Sequence, residues 1–410
     1  MKAALLIVPL LFLASCTDGL FPVTPRHVRE PARQHWKAPD VQADTAVPGP
    51  VVFALALEYP DWADWRSGDT RGGRVVLYRN GVRVRDVPIG ESTAPERNRI
   101  AGGSIWQNAV EGKTTAVYRD GTQLLRFPGE ETILGFYARG DSIHTLGQLA
   151  GGGVRYRING TDVFYAPGAQ VLGSWDAREW PCGALQPGAD GVYYSYGVPI
   201  STPSGQRMEY RVMCGERVVE SLPAASASLV YDIKYYNGLV YRLERRTDLP
   251  ESTCIVKGDE YVSLGLFPGE APLAMSLVPL DGGLAVKGTS RGFSIKRGSV
   301  WYRDGSVIRA SAASNYGIAD MYYDGGVPYW FTEDENGVLL ELLKDYFPLP
   351  LPYGYRLFTQ RCACLHDGAL YAALSSASGD SHILICADTL HTQIRFNGYF
   401  SSIVVEDLEK

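Results

Sequence analysis

From residue 51 onward, apolar and polar positions alternate with a period of two. "VRYRI" (154–158) and "VYRLERR" (240–246) are examples, and this is the pattern of a β-strand with one buried face. The 3.6-residue spacing of a helix is almost absent after residue 20. Short alternating runs are separated by tight turns, and one unit returns. "TTAVYRDGTQLL" (114–125) follows "VVLYRNGVRVRD" (75–86) and precedes "VRYRINGTDVFY" (154–165), and "SVWYRDGSVIRA" (299–310) comes later. The turn glycines are Gly81, Gly121, Gly160, Gly215, Gly258 and Gly305, with weaker cognates near Asp345 and Asp388. Repeats of roughly 40 to 50 residues signal a propeller or a solenoid.

A second turn lies inside each unit. "YDIKYYNGLVYRLERR" (231–246) is strand, Asn237-Gly238, strand, and Asn-Gly supplies the positive φ angles of a type I′ hairpin. Each unit therefore reads strand a, Asn-Gly-like turn, strand b, longer loop, strand c, Y-R-[ND]-G turn, strand d. This is a four-stranded propeller blade. Eight c–d turns predict an all-β, eight-bladed β-propeller of antiparallel blades, with seven blades as the alternative. The first unit opens on "VVFALALE" (51–58), which has the character of strand b, and "GYFSSIVVED" (398–407) is a strand a without a unit. The C-terminal strand is expected to complete the first blade, because closure removes exposed sheet edges.

The N-terminus reads "MKAALLIVPLLFLASCTDG". Lys2 and the apolar run Ala3 to Leu13 form a signal-peptide pattern too short for a stable span. Leu13-Ala14-Ser15-Cys16 resembles the lipobox of bacterial lipoproteins. The resemblance implies cleavage after residue 15, lipidation of Cys16 and anchoring to a bilayer through several acyl chains. Residues 16–50 carry six prolines with little apolar periodicity, the composition of an extended tether, and residues 51–410 form the propeller. The lipobox together with the Y-x-[ND]-G units resembles the tandem-repeat propellers among Gram-negative surface lipoproteins. That resemblance implies fold and an outer-membrane location, not an activity.

Composition narrows the partners. Lys plus Arg (39) against Asp plus Glu (45) leaves a net charge of −6 with no long basic run, so nucleic acid is not an expected partner. Several chemical motifs resolve into turn chemistry. Arg139-Gly140-Asp141 occupies an a–b hairpin slot. Ser381 and His382 are adjacent, so on a strand they point to opposite faces and cannot act as nucleophile and base. Cys362, Cys364 and His366 alternate along one strand, but same-face residues about 6.6 Å apart do not easily share one ion, and they read as buried positions rather than a metal site. Cys386, two strands away at about 9.6 Å, lies beyond the roughly 7 Å reach of a disulfide. The acidic run "TEDENG" (332–337) reads as a solvated hairpin.

The most suggestive surface feature is aromatic. Loop 58–73 carries Tyr59, Trp62 and Trp65, and loop 172–188 carries Trp175 and Trp180. Several Trp in polar loops suit stacking on sugar faces or a protein hot spot. Both loops are expected on one face of the ring, with the Asn-Gly and Y-R-[ND]-G turns on the other. The expected function is a non-catalytic binding module for a glycan or a partner protein, without cofactor or metal. The alternative is a propeller glycoside hydrolase or lyase.

Overall fold

The computed structural model describes residues 20–23, 50–67, 69–89, 98–111, 113–129, 131–139, 141–172, 184–203, 205–223, 228–246, 252–258, 260–263, 272–280, 283–290, 299–303, 306–312, 317–324, 327–334, 336–345 and 347–407. Its strands form eight sheets, one per blade, and the chain is an eight-bladed β-propeller. The first blade runs Gly398–Glu406, Val51–Glu58, Arg74–Arg79, Val82–Pro88 from strand a to strand d. The second is Asn98–Ala101, Ser104–Glu111, Thr114–Arg119, Thr122–Pro128, and the third Glu131–Arg139, Ser142–Leu149, Gly153–Ile158, Thr161–Pro167. In the fifth, sixth and seventh blades, strands a begin at Ser228, Pro272 and Gly317.

The ring closes through two segments at opposite ends of the sequence. Val51 pairs with Glu406 and Glu58 with Gly398 in an antiparallel ladder. Phe400, Ile403, Ala54 and Ala56 are buried in it, against Tyr371, Ala373 and Leu384 of the eighth blade.

The recurring Y-R-[ND]-G unit has a physical explanation. Asn80, Asp120, Asn159 and Asp388 sit at positive φ (49°, 54°, 50° and 65°), and in the first three units a positive-φ Gly follows. Two consecutive residues at positive φ make a type I′ turn, whose twist matches that of the strands it joins. Asn and Asp tolerate this conformation because their short polar side chains bond locally. Here the bond also reaches strand b. Asn80 Oδ1 accepts the Val52 amide (2.9 Å), Asp120 Oδ1 that of Ile105 (2.8 Å), Asn159 Oδ1 that of Ile143 (2.7 Å) and Asp388 Oδ1 that of Leu370 (2.9 Å). Each turn thus pins the start of strand b in its own blade. The motif's Tyr adds a second tie in the first blade, where the Tyr78 hydroxyl donates to Glu58 at 2.5 Å.

In five blades the outer strand carries a bulge just after this turn. The c–d register shifts at Leu77/Tyr78, Val117/Tyr118, Tyr156/Arg157, Val212/Met213 and Leu384/Ile385. The skipped residues Val84 and Leu124 are exposed. A bulge twists an edge strand away from flat pairing, which protects the rim from aggregation.

Two blades depart from the regular unit. In the fourth, Gln170–Val171 and Gln186–Pro187 both pair with Val192–Thr202, so strand a is split. In the eighth, Tyr355–Arg356 and Ala363–His366 both pair with Ala369–Ser376. Cys362 therefore ends a short 3-10 turn (Gln360–Cys362) rather than lying within strand a. Its thiol is fully buried, 3.1 Å from the Phe400 carbonyl. Within the expected tether, Leu20–Val23 forms a strand parallel to Ser306–Ala312 on the rim of the sixth blade.

Candidate binding surface between the last and first blades

The b–c loop of the first blade contains a six-residue helix, Trp62–Ser67. Asp61 starts it as an N-cap, its Oδ1 accepting the Asp64 amide at 2.9 Å. Further along, the Arg71 guanidinium grips Asp69 and holds its carboxyl down to about 2. The loop is thus folded on itself before it meets its neighbour.

That neighbour is the b–c loop of the eighth blade, residues 377–381. Trp62 Nε1 donates to the Ser378 carbonyl. The Trp62 indole is further fixed by Arg66, whose guanidinium carbon lies 3.5 Å from the ring centroid, a cation–π contact. Trp62 nevertheless remains 36% exposed. Trp65 lies 6.2 Å from Trp62 and points inward, packing edge-on against Phe358 at 6.2 Å. Phe358 in turn stacks on Tyr399 at 4.8 Å. Gly379 is what lets Trp65 in, because a Cβ there would lie 2.6 Å from the indole.

The turn beneath Trp62 is organised by one hydroxyl. Ser376 Oγ accepts the amides of Gly379 (3.0 Å), Asp380 (3.2 Å) and Ser381 (3.2 Å). Ser378 donates to Asp380 Oδ1 at 2.5 Å. This hydroxyl, helped by Ser376, holds the Asp380 carboxyl below its ordinary range against the opposing effect of burial. In the same turn, the Ala377 amide donates to the Gly354 carbonyl at 2.7 Å. The adjacent Tyr353 is 70% exposed. An exposed indole is therefore bonded to a turn rich in hydroxyls, with a guanidinium over its ring and a carboxylate in the turn, and a second exposed aromatic stands next in sequence to a residue that the turn engages.

The aromatic residues singled out in the sequence divide. Trp62 is presented to solvent. Tyr59 is not: it is 8% exposed, its amide bonds the Asn397 carbonyl at 2.8 Å, and burial raises its hydroxyl pKa against a hydrogen bond to Tyr399. Trp65 is half-buried in the first blade's core. Both act as packing residues that seat the loop on the core of the first blade. Trp175 and Trp180 lie outside the described residues. The residues missed in the sequence are Tyr353 and Arg66. Tyr353 stands in "PLPYGY", which carries no repeat signal. Arg66 is four positions after Trp62, the spacing at which helical side chains meet.

The remaining motifs behave as turn and core elements. Ser381 Oγ accepts from Gln393 at 2.5 Å, while His382 points the other way and its Nε2 donates to the Phe396 carbonyl at 3.0 Å. Cys364 and Cys386 are both free thiols, and burial pushes each up to about 12. Asp334 closes the b–c turn of the seventh blade by accepting the amides of Asn336 and Val338. Arg139 ends strand a of the third blade, and Gly140 lies outside the described residues.

No protein-family model and no curated protein matches the chain. Among solved structures it is similar to apo AztD from Citrobacter koseri, with 11% identity, 87% of this chain and 98% of that one covered, and a TM-score of 0.46. It is also similar to BamB from Moraxella catarrhalis (10% identity, 80% and 92% covered, TM-score 0.40). A third likeness is to the β-propeller domain of the Trilobed protease from Pyrococcus furiosus (12% identity, 73% and 92% covered, TM-score 0.41). At such identities the likeness is one of fold alone.

Proposed function

We infer that the chain is a lipid-anchored outer-membrane propeller that acts as a non-catalytic binding module for a glycan. The observation that carries this reading is Trp62. Its indole is held in place by the Ser378 carbonyl and by Arg66, yet over a third of the residue meets solvent. Holding a large aromatic surface rigid in water costs apolar exposure, and recognition supplies a reason for it. The apolar C–H face of a sugar stacks on such a ring, and its hydroxyls find Ser378, Asp380 and Arg66 around it. Tyr353, exposed beside the Gly354 that the turn bonds, offers a second ring, as suits an oligosaccharide rather than a single sugar. Cys16, through its acyl chains, would keep this surface at the membrane where extended glycans pass.

The test is a glycan array probed with the full chain, followed by titration of any hit. Trp62→Ala and Tyr353→Ala are each expected to weaken binding by about tenfold or more, a loss of ~1.4 kcal/mol. Both variants should melt like the parent. Binding that survives the double variant would reject the site. A Cys16→Ser chain that still pellets with membranes in detergent-free buffer would reject the anchor.

A further inference from the structure

The face opposite Trp62 carries a second cluster of ligand-type atoms. His366 ends strand Ala363–His366 of the eighth blade, Asp367 begins the a–b turn after it, and Asp407 follows the closing strand Gly398–Glu406 of the first. His366 Nε2 lies 3.1 Å from Asp407 Oδ1 and 3.7 Å from Asp367 Oδ2. The three ligand atoms all fall within 4.8 Å of one another, a grouping found nowhere else among the described residues.

We propose that His366, Asp367 and Asp407 form a divalent-cation site, selective for zinc-like ions, that clips the closing strand to the last blade. Geometry is the first argument. Zinc takes His nitrogen and carboxylate oxygen at about 2.0 to 2.2 Å in a tetrahedron, which places its ligands about 3.3 Å apart. The two observed separations from Nε2 bracket that edge; an ion here would replace the hydrogen bond that now joins Nε2 to Asp407 and draw in the second carboxylate, already within 4.8 Å. The fourth corner opens to water, because both aspartates are largely exposed.

Preorganisation is the second argument. The imidazole is not free to swing: its side chain is 19% exposed and stands edge-on to Tyr371, 6.1 Å away. Asp367 is fixed at φ 49° by the turn, with Gly368 at φ 73° behind it. Asp407 directly follows the closing strand Gly398–Glu406. Two carboxylates share one imidazole, so their mutual repulsion is relieved best by a doubly charged ion. The donor set of one nitrogen and two oxygens suits zinc better than calcium or magnesium, which take oxygen ligands.

The consequence follows from topology. Asp407 is one residue beyond Glu406, the partner of Val51. An ion bound here ties the last described residue of the chain to a turn already locked into the eighth blade. It therefore stabilises the closed ring by mass action, by an amount that grows with the logarithm of ion concentration over dissociation constant.

The experiment uses the full chain and zinc chloride alone. Calorimetry is expected to show one site, and the melting temperature should rise with zinc. Hydrogen exchange at the amides of Val404, Val405 and Glu406 should slow when zinc is added. His366→Gln and Asp407→Asn should each lower the affinity by about tenfold or more and abolish the exchange effect, with the zinc-free melting temperature unchanged. Asp345→Asn, on an exposed turn of the seventh blade, should bind as the parent does. Absence of zinc binding overturns the proposal, and so does binding that persists in both ligand variants, since the ion would then sit elsewhere. Asp367→Asn supplies an independent check, because Asn keeps the positive φ and removes only the charge.

Discussion

Asn80 accepts the backbone amide of Val52 through its side chain at 2.9 Å, while its own amide donates back to the Val52 carbonyl at 2.8 Å. Two residues 28 positions apart thus bond reciprocally, and the same exchange recurs between Asp120 and Ile105 and between Asn159 and Ile143. In these blades the turn motif is a clamp that sets the distance between strands b and c.

Breaking one clamp should be costly for so small a side chain. Asn80→Ala removes an acceptor from a part-buried amide and forces Ala to positive φ. Together these should cost about 2 to 3 kcal/mol. Asn80→Asp should stay within about 1 kcal/mol of the parent. Chemical denaturation of the two variants checks the contrast, and equal losses would mean that the acceptor is irrelevant.

Acid should destabilise the ring in two steps. His382 stacks on Phe396 at 3.7 Å and is fully buried; Nε2 donates to a carbonyl and Nδ1 has no partner. Burial lowers its pKa to about 4, against the opposing effects of the Phe396 carbonyl and Asp380. The unfolded chain therefore binds a proton below about pH 6.5 that the folded one refuses until about pH 4. Stability is complete above the unfolded value and falls across that window, by an amount on the order of 3 kcal/mol. Asp120 acts lower. Burial works against its charge, but hydrogen bonds from Arg85, the Ile105 amide and Ser104 outweigh it and lower the pKa. Its contribution is present above the ordinary carboxylate range and is lost as pH falls through the depressed value. Melting curves from pH 7 to 3 should show both, and His382→Asn should flatten only the upper step.

Gly379 should be intolerant of any side chain. It sits at φ 78° with the Trp65 ring where a Cβ would go. Gly379→Ala should displace the helix that carries Trp62, red-shift tryptophan emission and weaken any ligand that stacks there. An unchanged spectrum would show that the two loops are not packed as described.

Strand order can be rearranged while pairing is kept. Moving residues 398–407 to just before Val51, joined by Asn-Gly, would give the first blade the same a-b-c-d order as the second. This permuted chain should fold with native near-ultraviolet circular dichroism. A chain merely shortened by residues 398–410 should aggregate, because Val51–Glu58 would lose its inner partner. Equal behaviour of the two chains would mean that the closing strand is dispensable.

The architecture could be read from the sequence because it is encoded locally and many times over. Each positive-φ Asn or Asp followed by Gly announces a hairpin, and the leftover strand at each end, counted against the others, implies their pairing. The exposed site was harder to read because it is assembled once, across a seam. Trp62 meets Ser378 over 316 residues, and Tyr353 enters through an irregular stretch that splits strand a of the eighth blade. A tryptophan in a polar loop looks the same in sequence whether it faces solvent, as Trp62 does, or fills a gap, as Trp65 does. The difference lies in Gly379, on another blade.

The pairing of Val51–Glu58 with Gly398–Glu406 also imposes a timetable. A ribosome makes the first blade's middle strand before almost anything else in the ring and its inner strand almost last. Throughout synthesis and any export the nascent domain carries one open edge, and later blades can only stack toward it. Until the closing strand docks, the ring is an arc whose free edge, on Val51–Glu58, proteases and chaperones can recognise.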